Sequence, residues 1–169
     1  MRTQHPASRR AFTFIDVLVT IAVMLVIAAL ALPAMSSGTQ INISGASSML
    51  ASDLEYTQSL SLANPQNPAL IKFDPANDTY WIAFASDPDA PIVRPGTDSE
   101  PYSIVFGQGL ATAFAGITID TSDITADSIA FDSYGRPFDP LDNSITLTSM
   151  TGRSITLLID SNTGFVSIQ

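Results

Sequence analysis

Apolar and polar positions divide this chain into three regimes. Between Phe12 and Met35 apolar residues run almost unbroken, and the nineteen residues 17–35, VLVTIAVMLVIAALALPAM, hold no charge and a single hydroxyl, Thr20. As a helix rising about 1.5 Å per residue they span roughly 28 Å, close to the hydrocarbon thickness of a bilayer. A run that is apolar on every face is not the pattern of an amphipathic core helix. Residues 36–45 are mostly polar and contain Gly38 and Gly45, each of which weakens a helix by roughly 1 kcal/mol relative to alanine. From Ala46 to Ala63 the apolar positions Ala46, Met49, Leu50, Leu54, Thr57 and Leu60 recur at helical spacing, with Asp53, Glu55 and Gln58 interspersed. This predicts the amphipathic half of one long helix, its apolar stripe packed on a head. Asn64-Pro65 and Asn67-Pro68 stop it.

Beyond Ala69 the period changes to that of strands. Leu70-Ile71-Lys72-Phe73 and Thr79 to Phe84 predict a hairpin around Asp74-Pro75-Ala76-Asn77-Asp78. In the second strand Tyr80, Ile82 and Phe84 fall on one face, and Thr79, Trp81 and Ala83 on the other. Asp87 to Pro101 carries Pro88, Pro91, Pro95 and Pro101 and reads as a long loop or edge excursion. Further short strands are predicted at Tyr102–Phe106, Gly116–Ile119, Ser128–Asp132, Ser144–Thr148, Ser154–Asp160 and Phe165–Ile168. Glycine and proline turns at Gly107-Gln108-Gly109, Tyr134-Gly135-Arg136-Pro137, Gly152 and Asn162-Thr163-Gly164 separate several of them. The expected fold class is α+β: a long N-terminal helix packed on a mainly antiparallel β head.

Charge sharpens the N-terminal reading. Three of the seven basic residues, Arg2, Arg9 and Arg10, precede the apolar run. Arg9 and Arg10 predict an N-terminus that stays in the cytoplasm while the bulk of the chain crosses. A cleavable signal peptide ending at Ala29-Leu30-Ala31 is the competing reading. Three details separate the two. The apolar run begins abruptly after Arg9-Arg10-Ala11, an acid, Asp16, sits among Phe14, Ile15 and Val17, and Pro33 lies late in the run. An acid in a membrane segment is costly and calls for a partner, and a signal peptide has no use for one. A membrane helix tolerates a late proline as a kink.

The stretch Arg9-Arg10-Ala11-Phe12-Thr13-Phe14-Ile15-Asp16-Val17-Leu18 resembles the prepilin cleavage and N-methylation motif of type IV pilins and type II secretion pseudopilins. The family's usual form is basic residues, glycine, then Phe-Thr-Leu-Ile-Glu; here Ala11 stands for the glycine and Asp16 for the glutamate. The head is similar to that of the H-type minor pseudopilins at Leu70-Ile71-Lys72-Phe73-Asp74, Tyr80-Trp81, Ile129-Ala130-Phe131-Asp132-Ser133-Tyr134-Gly135-Arg136-Pro137 and Ile155-Thr156-Leu157-Leu158-Ile159.

The resemblance implies a leader over 1–11, an assembly and membrane helix over 12–35, its amphipathic continuation over 36–63, and a β-rich extracytoplasmic head over 64–169. It implies cleavage between Ala11 and Phe12 by a separate prepilin peptidase that also methylates the new Phe12 amine. Pro33 becomes the helix kink, and Asp16 the carboxylate that pairs with a Phe12 amine and sets axial register. In low dielectric such a pair is costly to break, so it specifies more than it stabilises. The implied partners are other pilin or pseudopilin subunits, the peptidase and an inner-membrane assembly platform. The implied place is the bacterial inner membrane, single-pass, with the head in the periplasm.

Composition narrows the rest. The chain has no cysteine, and its one histidine, His5, lies in the leader, so the usual nucleophile and base pairs are missing. Removing the leader leaves four basic residues against sixteen acids, 4 − 16 = −12. Such acidity argues against nucleic acid as a partner, and so against a DNA-capturing minor pilin, which would need a basic patch. A membrane-tethered binding domain that never polymerises keeps the same topology as an alternative. Gly107-Gln108-Gly109 lacks the downstream glycine and helix of a phosphate loop. Paired carboxylates suffice for a glycosidase, yet the acids here are scattered over turns. No enzyme and no cofactor is expected. Calcium is the one ligand for which the loops offer hard oxygens, at Asp120, Asp123 and Asp127 and around Asp139 and Asp142. Neither group has EF-hand spacing, and aspartate in turns is ordinarily turn chemistry, so no metal is expected.

Overall fold

The structure is a computed structural model that describes residues 14–141 and 143–169, with the side chains of 28–41 outside the described residues. Helix α1 runs over Phe14–Ala63. The chain divides into two compact units, Met1–Gly38 and Thr39–Gln169.

In the first unit the described side chains belong to one helical segment, Phe14 to Ile27, and all of them are exposed. In the second unit the helix ends at Ala63, just before the Asn-Pro break. The Asn64 amide closes the last turn on Leu60 O at 3.0 Å.

Among the described residues nine strands follow: β1 Ala69–Asp74, β2 Thr79–Phe84, β3 Asp87–Pro91, β4 Ser103–Val105, β5 Ile117–Asp120, β6 Ser128–Ala130, β7 Asn143–Ser149, β8 Ser154–Ile159 and β9 Val166–Ile168. They form two antiparallel sheets. One has the order β3-β2-β1-β6 with β4 also on β2, and the other the order β5-β7-β8-β9. The chain enters the second sheet at β5, returns to the first for β6, and crosses again for β7. This interleaving joins the sheets around one core.

The β1–β2 hairpin forms where the sequence predicts one, with Leu70 opposite Ala83 and Phe73 opposite Tyr80. Its tip is a 3₁₀ turn, Pro75–Asn77, and Asp78 closes it in the left-handed region at φ 49°. Strands β7 and β8 alternate as the sequence requires, with Ile145, Leu147, Leu157 and Ile159 fully buried. From the helix Ile43, Ala46, Leu50 and Leu54 enter the same core, against Ile71, Ile82 and Phe131. Full burial of a leucine or isoleucine is worth roughly 1.5–3 kcal/mol, so this stripe anchors α1 to both sheets.

Two features depart from the sequence reading. The proline- and aspartate-rich excursion holds a real strand, β3, paired with β2 across a register shift at Ala83/Phe84. Pro88 and Pro91 are tolerated because β3 is marginal and the missing amides cost no ladder bond. Gly109–Phe114 forms a 3₁₀ segment that periodicity does not show. Its Phe114 ring lies against Gly45, where a Cβ would sit 3.0 Å from the ring. Gly45 is therefore a packing position as well as a weak point in helix propensity.

Candidate functional site

Three places carry the chemistry of this chain: the exposed apolar helix, a buried carboxylate, and a glutamine clamp.

The helix comes first. Arg9, Arg10, Ala11 and Phe12 lie outside the described residues. Asp16 stands in the first turn of α1, where the positive end of the helix favours a carboxylate. The Thr20 hydroxyl donates to the Asp16 carbonyl at 2.6 Å. Around it the apolar side chains face outward on every side, from Phe14 at 83% to Leu25 at 66% and Ile27 at 61% exposed. Among the described residues no helix is long and apolar enough to cross a membrane. Pro33, the expected kink, belongs to the part of α1 whose side chains are outside the described residues.

The buried carboxylate is Asp53. Periodicity does place it on the apolar stripe, three residues after Leu50 and four before Thr57. The structure buries it to 6% exposure. The Tyr80 hydroxyl donates to its Oδ2 and the Tyr102 hydroxyl to its Oδ1, each at 2.7 Å. Arg94 lies over the Tyr102 ring at 5.0 Å and donates to Ser103 O at 3.3 Å. Tyr56 stacks with the same ring, centroids 5.8 Å apart. Burial raises the Asp53 pKa above its ordinary value, against the pull of the two phenols and Arg94. Burial and the neighbouring carboxylate raise both tyrosines as well. The knot ties α1 to β2 and to the segment entering β4.

Gln58 is the clamp. Its amide nitrogen donates to Gly135 O at 2.7 Å and Thr163 O at 3.0 Å, holding two distant turns to the helix. Gly164, at φ +70°, is required there: a Cβ would meet Gly135 O at 2.3 Å and the Gln58 amide at 2.5 Å. Asp53 and Gln58 are the residues that sequence reading treated as ordinary polar positions on the helix.

The calcium candidates do not converge. Asp120 accepts the Ser122 amide at 2.9 Å, Asp123 the Ser144 hydroxyl at 2.7 Å, and Asp127 the Thr121 hydroxyl. Asp139 accepts the Thr125 hydroxyl at 2.8 Å, and Asp142 lies outside the described residues. Among the described residues no three His, Cys, Asp or Glu side chains gather to hold a metal ion.

A long helix packed on a twin-sheet antiparallel head defines an α+β fold of the type IV pilin kind. No protein-family model matches the chain and no curated protein matches it. Among solved structures it is similar to the type IV minor pilin FimU of Pseudomonas aeruginosa strain PAO1 in two crystal forms. One has TM-score 0.53 and 14% identity, covering 77% of this chain and 90% of that one. The other has TM-score 0.51 and 13% identity, covering 75% and 91%. At such identity the likeness is one of fold.

Proposed function

We propose that this chain is a structural subunit of a pilus or pseudopilus, made as a prepilin, cut between Ala11 and Phe12, and methylated on the Phe12 amine. The observation that carries the reading is the exposed apolar helix, with Asp16 in its first turn, on a chain whose fold is that of pilins. An apolar surface this complete is stable only in lipid or against other helices, and the two fit successive stages of one subunit: membrane storage, then filament. The bilayer reading rests on the uncharged run 17–35. Within the class, the head segments similar to H-type pseudopilins and the missing disulfide favour a minor pseudopilin of a type II secretion system. The partners are then other subunits, the prepilin peptidase and the assembly platform, with the head periplasmic.

Mass spectrometry of the mature N-terminus tests the reading, together with immunodetection in sheared filaments. The expected product begins with N-methylated Phe12 and is found in the sheared fraction. A product beginning after Ala31 would make the run a signal peptide, and an unprocessed chain absent from filaments would make it an inert anchor.

A further inference from the structure

Five strands lie at sheet margins: β3 and β4 share the outer side of β2, β6 ends the first sheet, and β5 and β9 end the second. An open edge presents unpaired amides and carbonyls, and natural sheets blunt it with proline, charge or cover. Four of the five are blunted here. Strand β3 carries Pro88, Pro91 and two aspartates, and Pro88 O accepts the Trp81 indole N–H at 2.9 Å. On β4, Ser103 O accepts from Arg94 and Val105 O from the Gln108 amide at 3.1 Å. On β6, Ala130 O accepts the Phe138 amide at 2.9 Å, and the Ser128 amide is bonded to Thr125 O. On β5, the Ile119 amide donates to Asp78 Oδ1 at 3.1 Å, so the hairpin tip covers that edge.

Strand β9, three residues long, carries no proline and no charged side chain, and among the described residues nothing bonds its outer side. The reciprocal bonds between Gln169 and Thr156, at 2.9 and 3.1 Å, turn the backbone groups of Gln169 and Ser167 toward β8, and the Asp160 amide bonds Phe165 O at 3.0 Å. The alternate residues, Val166 and Ile168, therefore aim their amides and carbonyls outward, and no described residue bonds them there. The segment Phe165–Gln169 contains no proline and no charged side chain, in a head where the side chains of residues 39–169 carry 4 − 15 = −11. Phe165 is 67% and Ile168 47% exposed.

We propose that the β9 edge docks a β-strand from the head of a different, less acidic subunit. Outward backbone groups at alternate residues call for a strand. Ile168, 47% exposed on the face where Val166 is buried, calls for apolar side chains at alternate positions of that strand. The head's net charge disfavours a second copy of this chain, since like-charged heads repel. Naming the partner as a subunit of the same filament rests on the reading above; the edge itself does not.

The test uses the full chain in membranes of cells that make the whole assembly, with a benzophenone amino acid in place of Phe165 and, as control, in place of the exposed Leu110 beside β4. The expected Phe165 adduct maps by mass spectrometry to a strand of another subunit. Ile168→Pro removes an outward amide and leaves every bond to β8, so it lowers the adduct roughly tenfold while the Leu110 probe is unchanged. Ile168→Lys does the same by charge and serves where the proline variant is lost to proteolysis. An adduct to a second copy, no adduct, or one indifferent to both variants overturns the proposal. A strand adduct in a chain never cut at Phe12 leaves the edge standing and removes the filament reading.

Discussion

Asp53 shows how one buried group shapes the whole head. Its folded pKa lies above the unfolded value of 3.8, so between those values the folded state holds the extra proton. Stability then falls as pH rises through that window, and above it the cost of burying the charge is constant. Asp132, Asp139 and Asp160 act oppositely: hydrogen bonds lower their pKa, and what they contribute is lost as pH falls through their lowered values. Asp53→Asn keeps an acceptor for one tyrosine and offers an amide donor to the other. Its melting temperature is expected to gain on the parent as pH rises above about 4; parallel curves would show that folding leaves the Asp53 pKa unshifted. At Gly164 the requirement is steric as well as torsional. Gly164→Ala is expected to destabilise by roughly 2–4 kcal/mol in denaturant titration, whereas Gly152→Ala, also at positive φ but with open space around it, costs only the torsional part. Equal losses would refute the clamp.

At the level of elements, the two described parts of α1 differ in what their apolar side chains meet. Its residues 43–61 insert a stripe into the sheets, while Phe14 to Ile27 keep every apolar side chain outward. The Asp87–Pro101 excursion is held through β3, a bridge between Val93 and Pro101, and the Arg94–Tyr102–Asp53 knot. Tyr102→Phe removes one phenol donor from a buried carboxylate, a loss of about 1–3 kcal/mol. Hydrogen exchange is expected to quicken in residues 92–103 and to stay slow in β7 and β8; a uniform increase would mean that the knot does not act locally. Helix end, hairpin and the β7–β8 pair were legible in the sequence because each depends on near neighbours and a clean period. Strand β3 was not, since proline content reads as loop until a partner strand is known to lie on one side only.

For the whole molecule, the proposed function assigns assembly to the apolar helix, and the acidity of the head favours its solubility. Asp16→Ala is expected to leave the head's melting unchanged and to reduce the chain's share in sheared filaments; incorporation at the parental level would remove Asp16 from the assembly contact. A head at −11 meets a basic surface more readily than its own copy, so raised salt is expected to weaken association with partner subunits in co-purification.

Some of this protein was written locally. Hydrophobic period, the Asn-Pro stop and the glycine turns determined the long helix, the strand positions and the α+β class, because each is set by residues a few positions apart. The N-terminal pattern alone pointed to a pilin-like subunit. Only the tertiary structure decided that β5 and β6 exchange sheets, that Gly45 receives the Phe114 ring, that Asp53 and Gln58 bind distant segments, and that no described residue bonds the outer side of β9. Each of those depends on contacts between residues far apart in the chain, which periodicity does not encode.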